Sequence, residues 1–372
     1  MDDSELQVQY NSKQLVAGDV VEGAVLMNIP LLETKHYEEV HTIFAGIIKA
    51  QITNSSCEVD LFRQFETVWK PAIPSSAGSA NLHVVKVPFR FTLPSVLPAS
   101  GVYGKNPFTA TVHYFVKVVG IRSGFHKNKE ILCRFAVVPS NIAGFELSQS
   151  FKAGWTGKWK TVVEQKRMRQ FFFGEYASAS VILTLPDIDT FPIATSIPFT
   201  LELTTLTKPA IWKEEYQWRV GDVLFPTPPF DPRTGIAFEI AQTIFLDTGQ
   251  ERRYSTGHEI WRLGGFGSEA GEHAKAKISE PLWVPIDGDA QGRGMYKQKV
   301  VFTSNFVLKC SPCYESNLLK VEYMMHLKVD FPGTRNEVKL SFPVRVVSNR
   351  RPPTASSRRP ELHPPEDAEA PP

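Results

Sequence analysis

The stretch Leu-Lys-Val-Glu-Tyr-Met-Met-His-Leu-Lys-Val-Asp, residues 319–330, decides the fold class of this 372-residue chain. Its odd positions are all apolar, whereas most of its even positions are charged or polar. After Phe-Pro-Gly-Thr at 331–334, apolar residues take the even positions from Val338 to Val346. A period of two predicts strands with one buried face, and Pro-Gly suits a tight reversal. The sequence therefore predicts a long antiparallel hairpin that needs a second sheet against its apolar face.

The same pattern extends upstream through most of the chain. Apolar runs with strand character are separated by turns, and the 28 prolines fall between the runs more than inside them. Strands at such spacing, without helical periodicity between them, are typical of a β-sandwich, so we predict an all-β fold. The further predicted strands lie at 20–27, 43–52, 58–69, 87–93, 112–118, 131–137, 180–185, 198–206, 237–246 and 299–308.

The length of the chain predicts two domains of ordinary size. We expect an N-terminal domain at 1–145, a linker at 146–170 and a C-terminal domain at 171–348. An irregular, Gly-rich insertion is expected at about 247–297, and loops of that length are usually functional or disordered. Residues 349–372 are rich in Pro and charge with little to bury, which predicts a disordered tail.

Composition and charge narrow the class of protein. A net charge of +2 is too small to indicate nucleic-acid binding. The segment from Met1 to Glu5 is acidic and lacks an apolar core, so no signal peptide is predicted. No run approaches the roughly 18 apolar residues of a membrane span. We therefore expect a cytoplasmic protein with reduced thiols.

Recognisable catalytic motifs are missing from the sequence. It contains no phosphate-binding loop, no His-Glu-x-x-His and no Gly-x-Ser-x-Gly. Cys310-Ser-Pro-Cys313 has the inner spacing of a zinc knuckle, but a structural zinc site takes four ligands and only His326 is near. The favoured interpretation is two thiols in a turn, and we expect no enzyme, no cofactor and no metal site.

Two basic clusters are candidate sites for phosphate or anionic lipid, because guanidinium groups match phosphate oxygens in pairs. The first, Lys166, Arg167 and Arg169, precedes three phenylalanines, and its alternative interpretation is a solvated linker. The second, Arg122, Lys127 and Lys129, lies in a predicted turn, and its alternative is a charged hairpin tip.

Four segments, taken in order, resemble the arrestins, and most closely the α-arrestins or arrestin-related trafficking adaptors. They are Gly-Asp-Val-Val-Glu-Gly-Ala-Val at 18–25, Pro-Phe-Arg-Phe-Thr-Leu-Pro-Ser-Val-Leu-Pro-Ala-Ser at 88–100, the Tyr-Phe-Val-Lys strand at 111–119, and the closing hairpin. The second segment is the most specific, since it prescribes the order of Phe and Pro over thirteen residues.

This resemblance implies two immunoglobulin-like antiparallel β-sandwich domains in tandem. It implies an adaptor that binds the cytoplasmic tails of membrane proteins and links them to endocytic trafficking or ubiquitination, while peripherally associated with the plasma membrane or endosomes. Extended peptides would bind by strand addition at sheet edges and tip loops. Members of the family typically recruit a HECT-type ubiquitin ligase through Pro-Pro-x-Tyr. Here Pro228-Pro229-Phe230-Asp231 and Pro352-Pro353-Thr354-Ala355 both lack the tyrosine.

Two other functions are compatible with the same pattern. The first is a retromer-like coat subunit within a fixed complex. The second is a small-ligand-binding or enzymatic β-sandwich in which the insertion at about 247–297 forms the pocket.

Overall fold

The computed structural model describes residues 4–10, 14–71, 84–169, 176–212, 224–286, 288, 292–333 and 335–353. This part of the chain is mostly β-strand with two short helices, so the all-β prediction is confirmed. Two groups of antiparallel sheets follow one another along the chain. We call them the N-terminal and the C-terminal sandwich. Within the described residues, no helix combines the length and apolar character needed to cross a membrane.

The N-terminal sandwich consists of a three-stranded sheet that faces a larger sheet. The smaller sheet has the order β1-β3-β6, and the larger has β5-β4-β8, with β7 and β9 sharing the other edge of β8. Short β2 pairs with β10 in parallel. The bounds are β1 Leu6–Tyr10, β2 Leu15–Val16, β3 Val20–Asn28, α1 Ile29–Thr34, β4 Tyr37–Ile52, β5 Ser55–Trp69, β6 Val84–Thr92, β7 Gly101–Lys105, β8 Phe108–Arg122, β9 Lys129–Phe135, β10 Val137–Val138 and α2 Ile142–Lys152.

The C-terminal sandwich has one sheet in the order β11-β12-β14-β20 and another in the order β13-β23-β22-β16-β17. Three short strands, β15, β18 and β19, also pair with β20, and β21 pairs with β22. The bounds are β11 Trp159–Met168, β12 Ala177–Pro186, β13 Thr190–Pro192, β14 Ser196–Leu206, β15 Ala210–Ile211, β16 Ile236–Asp247, β17 Arg252–Arg262, β18 Lys275–Ile278, β19 Leu282–Pro285, β20 Arg293–Val307, β21 Tyr314–Glu315, β22 Leu319–Asp330 and β23 Glu337–Val347.

Aromatic contacts between facing sheets form the centre of each sandwich. Phe44 of β4 stacks on Phe91 of β6 with ring centroids 4.8 Å apart. Phe199 of β14 meets Phe238 of β16 at 5.3 Å. Contacts of this kind strengthen a core beyond the area that they bury. Gly23 of β3 lies at a close approach between the strand and the core, because a Cβ there would lie 2.4 Å from the ring of Phe89.

The closing hairpin confirms the alternation seen in the sequence. Every odd residue from Leu319 to Val329 is at most 1% exposed, and the even positions of β23 are buried except Phe342, which is half-buried. The reversal takes six residues, from Phe331 to Asn336, closed by a 2.7 Å bond from the Phe331 amide to the Asn336 carbonyl. Gly333 has a φ of +97°, which favours glycine.

Three segments differ from the sequence-based prediction. The expected linker at 146–170 holds most of α2 and all of β11. The expected irregular insertion at 247–297 holds β17, β18, β19 and the start of β20. Residues 349–353 are attached to the N-terminal sandwich, since the Asn141 amide donates to the Arg350 carbonyl at 2.8 Å. The rest of the expected tail, 354–372, lies outside the described residues.

The physical reason for these differences is the lack of an apolar period. β11 is exposed along nearly its whole length, so its sequence has no buried face to mark it as a strand. Helix α2 begins at a local signal instead, because the Asn141 side chain accepts the Gly144 amide at 2.7 Å as an N-cap.

Candidate functional site

The larger N-terminal sheet has a second apolar surface, on the side away from the core. Ala45, Ile47 and Phe115 form a small buried cluster separate from the main core, with Ile43 packed against it. We call the side of the sheet that carries this cluster the outer face. Successive side chains of a strand point to opposite sides of a sheet, and the outer face therefore alternates with core residues such as Phe44.

Pairing registers arrange this outer face in rows across four strands. One row runs Phe65, Ile43, Lys117 and Leu132, from β5 through β4 and β8 to β9. The next row runs Arg63, Ala45, Phe115 and Arg134. Apolar side chains thus occupy the middle. The cations beside them are paired within the sheet, Arg63 with Asp60 at 2.7 Å and Lys117 with Glu130 at 2.8 Å.

Aromatic side chains lie at the rim of the outer face, and they differ in exposure to solvent. Phe65 is 59% exposed and its ring lies 4.4 Å from that of His41. His41 itself is buried, and burial lowers the pKa of its imidazole although Glu39 opposes the shift. His113 stacks against Phe115 at 5.9 Å, and burial lowers the pKa of His113 as well.

Strand β5 forms the edge of this sheet over 15 residues. Within the described part of the chain it pairs only with β4, so the other side of its backbone has no strand partner. Two irregularities in the β4–β5 pairing, at Val40/His41 and Gly46/Ile47, bend the edge. Such an edge offers rows of N–H and C=O groups to a further strand.

The predicted candidate Arg122 lies in an internal polar network. Its guanidinium bonds to Glu5 at 3.0 Å and to the Tyr37 hydroxyl, and it covers the Tyr37 ring at 4.4 Å. Lys35 reaches the same carboxylate at 3.1 Å. Burial alone would raise the pKa of Glu5, but bonds from its own backbone amide, Lys35 and Tyr37 lower it to about 2. The network joins the residue before β1 to β4 and β8, so Arg122 already has a role in stability.

The other two members of that cluster lie at the tip of the β8–β9 hairpin. Lys127 is exposed and Lys129 is half-buried. The charge of Lys129 also contributes to the low pKa of Glu5, so the ammonium group of Lys129 interacts with the network. Lys127 is therefore the more available of the two for an external anion.

The other predicted cluster, Lys166, Arg167 and Arg169, lies at the end of β11, on the C-terminal sandwich. Lys166 donates to the carbonyls of Arg335 at 3.1 Å and Glu337 at 2.8 Å, beside the turn of the closing hairpin. Arg169 covers the Tyr176 ring at 3.7 Å, and Arg167 is exposed. The phenylalanines at 171–173 lie outside the described residues. The two basic clusters thus belong to different sandwiches and do not form one site.

A cleft of about 860 Å³ opens between the two sandwiches. The segment Ser95–Leu97 forms one wall, and parts of β22 and β23 with Cys313 form another. None of its lining residues belongs to 247–297, so the expected insertion does not build this cleft. All four cysteines are free thiols, and Cys313 accepts the Val346 amide at 3.2 Å. Among the residues that the structure describes, no group of three or more His, Cys, Asp or Glu could hold a metal ion.

Neither the outer face nor its rim is among the sites expected from the sequence. The signal was present, because Ile43-Phe44-Ala45-Gly46-Ile47-Ile48 is apolar on both faces of the strand. A strand at the surface of a sandwich normally has one polar face. A doubly apolar run therefore indicates a covered or ligand-binding outer side. Phe65 carried no comparable signal, since its exposure follows from the edge position of β5.

A scan against family models finds no match to this chain, and a search of curated proteins finds none either.

Proposed function

We propose that this chain is a non-enzymatic, arrestin-like adaptor that binds extended cytoplasmic segments of membrane proteins at the edge of strand β5. The observation that carries the proposal is the 15-residue edge with its apolar and basic outer face. Strand addition supplies main-chain hydrogen bonds for affinity, and side-chain rows supply specificity.

The registers specify the peptide that would fit. A strand added beside β5 would extend the existing rows, so its side chains would meet Phe65 and Arg63, which lie two residues apart on the outer face. Cross-strand neighbours of apolar and of opposite charge type are favourable. The preferred peptide is therefore extended and carries an apolar residue two positions from an acidic one, whose carboxylate would share the Arg63 guanidinium with Asp60.

Direct binding tests this proposal. The full chain is titrated into fluorescent peptides of Thr-Val-Thr-Glu repeats, in which Val and Glu lie two positions apart, and the readout is fluorescence anisotropy. A matched peptide with Pro in place of two Val residues removes N–H donors, and we expect it to bind at least about tenfold more weakly. Phe65→Ser should weaken the first peptide by a similar factor, while Tyr254→Ser on the edge strand β17 should leave it unchanged. The proposal would be overturned if both peptides bound equally tightly. It would also be overturned if the first peptide bound the Phe65→Ser variant as tightly as the wild type.

The link to trafficking is tested in the cells that make the protein. Affinity capture after mild cross-linking should recover transporters or receptors, and the Phe65→Ser variant should lose them. Recovery of a HECT-type ligase together with such cargo would support a role in ubiquitination by a contact other than Pro-Pro-x-Tyr. Stoichiometric recovery of coat subunits, unaffected by Phe65→Ser, would favour the retromer-like alternative instead.

A further inference from the structure

The tip of the β8–β9 hairpin presents an unusually exposed aromatic side chain. Phe125 is 110% exposed, more than any other large apolar side chain among the described residues. Single exposed apolar residues are normal on a protein surface. The residues around Phe125 therefore determine whether its exposed ring can be part of a binding surface.

The loop around Phe125 is held in shape by hydrogen bonds. The Ser123 amide donates to the His36 carbonyl at 3.1 Å, and the Arg122 amide donates to the Asn128 side chain at 3.1 Å. Gly124 has a φ of +70°, which turns the chain immediately before the phenylalanine. Phe125 therefore projects from a built turn, beyond the side chains on either side.

The charge of the tip is of one sign. Residues 122–129 contain Arg122, Lys127 and Lys129 and no carboxylate. The neighbouring segment from α1 to β4 adds Lys35 together with the exposed Glu33 and Glu38, and the buried Glu5, directly before β1, faces Arg122. Glu130, the next residue after the tip, pairs with Lys117 at 2.8 Å. The outermost residues around the aromatic ring, His126 and Lys127, are basic and exposed.

We propose that this tip docks on an anionic lipid bilayer, with Phe125 inserted at the boundary between headgroups and acyl chains. Lys127 and Lys129 then lie at the level of the lipid phosphates. A projecting ring has no concave wall around it to receive a peptide side chain, whereas a bilayer supplies an apolar medium that receives a projecting group. Interfacial aromatic residues flanked by cations bind membranes in this way.

This inference rests on the proposed function only for its setting, in which an adaptor meets cytoplasmic tails at the membrane surface. Docking through one ring and two or three cations is weak and reversible. It orients the N-terminal sandwich towards the bilayer and leaves the β5 edge available for cargo.

Vesicle co-sedimentation of the full chain tests the proposal. We expect binding to phosphatidylcholine vesicles that contain about a third phosphatidylserine, little binding to phosphatidylcholine alone, and weakening as salt is raised from about 0.1 M. Phe125→Ser should reduce the affinity about tenfold, and Lys127→Ala about fivefold. Unaltered binding of Phe125→Ser, or equal binding to neutral vesicles, would overturn the proposal.

Matched variants exclude trivial explanations. Val96→Ser removes an apolar side chain that is 83% exposed but lies elsewhere, and it should not affect vesicle binding. Phe125→Trp should bind vesicles as the wild type does. Brominated lipid should quench the fluorescence of the added indole, a quenching that the wild-type protein does not show. Phe65→Ser should leave vesicle binding intact, so that failure of the peptide proposal and failure of the membrane proposal are distinguishable. Binding of a phosphopeptide through Lys127 in the absence of vesicle binding would assign the tip to peptides and overturn the membrane inference.

Discussion

The outer surfaces of the two sandwiches differ although their cores follow the same rule. On the C-terminal sandwich, the outward positions of β22 and β23 form ion pairs, such as Lys320 with Glu322 at 2.9 Å and Lys339 with Glu337 at 2.6 Å. On the N-terminal sandwich, the outward positions of β4 and β8 include Ala45 and Phe115, which are buried in a cluster of their own.

This difference follows from which positions of a β-sandwich the fold constrains. Inward positions must be apolar in both halves because the facing sheets bury them. Outward positions are free to vary, and a surface covered with paired charges stays solvated and resists association. An apolar outer face beside an open edge favours association, and the N-terminal sandwich combines a buried outer cluster with the open edge of β5.

Removing a core ring gives the largest expected effect and tests whether the two halves are independent. Phe44→Ala and Phe199→Ala should each lower the free energy of unfolding by about 3–5 kcal/mol, because each leaves a cavity between facing sheets. The buried core is continuous between the sandwiches, so both variants should shift one calorimetric transition. Two separate transitions, each shifted by only one variant, would show that the halves unfold independently.

Breaking the internal network of the N-terminal sandwich is expected to have the next largest effect. Glu5→Gln should cost about 2 kcal/mol, since Lys35 and Arg122 lose a carboxylate that is 6% exposed. The folded pKa of Glu5, about 2, is below its ordinary value of 4.5. Its stabilising effect is therefore complete above pH 4.5 and is lost as the pH falls towards 2.

Urea unfolding at a series of pH values measures this effect, and the gap between wild type and variant should narrow below pH 4.5. Glu315→Gln is the matched change on the C-terminal sandwich, where the carboxylate pairs with Lys320 but is 73% exposed. We expect no measurable loss there. Equal losses in the two variants would contradict the distinction between a buried and a solvated network.

A smaller effect is expected from His41 on the outer face. Burial lowers the folded pKa of His41 from its ordinary 6.5, so the unfolded chain takes up the proton more readily. The contribution of neutral His41 to the free energy of unfolding is then complete above pH 6.5 and declines as the pH falls below that value. His41→Gln should reduce this decline in thermal unfolding between about pH 7 and pH 5. A variant with the full wild-type decline would show that His41 is solvated in the folded protein.

The smallest expected effect on stability is that of Phe65→Ser. Its ring is 59% exposed, so the free energy of unfolding should change by less than about 0.5 kcal/mol. Glu322→Gln, on the outer surface of the C-terminal sandwich, should be equally silent in urea unfolding. Only Phe65→Ser should weaken peptide binding, and a loss of peptide binding in both variants would remove the contrast between the two surfaces.

Strands with one buried face could be predicted from the sequence because burial imposes a period of two. The hairpin of Leu319–Val347 and the turn between Arg122 and Lys129 follow from that rule. Strand β11 and the strands within 247–297 could not be predicted in this way, since exposed edge strands have no apolar face to repeat. Their partners are distant in sequence, and only the assembled sheet specifies them.

The candidate site was harder to predict than the fold. The basic residues Lys166 and Arg122 were visible in the sequence, but their carbonyl and carboxylate partners depend on contacts between remote segments. The rows of the outer face likewise exist only after four strands have paired in register. Phe125 is one of 25 phenylalanines, and composition does not distinguish a projecting ring from a buried one.

The hydrogen bond between the Asn141 amide and the Arg350 carbonyl brings together the points where the chain leaves the N-terminal sandwich and returns to it. Gly144 lies so close to the Ser348 carbonyl that a Cβ would be 2.2 Å away, and Pro353 reaches Gly18. The C-terminal sandwich is thus inserted, as what we call a cassette, between two points of the chain that lie side by side. Chain ends that lie side by side permit exchange of an inserted domain, so a short loop in place of the whole cassette would leave the N-terminal backbone path intact. The chain path around the C-terminal sandwich is therefore closed at one junction, while the continuous buried core holds the two sandwiches together.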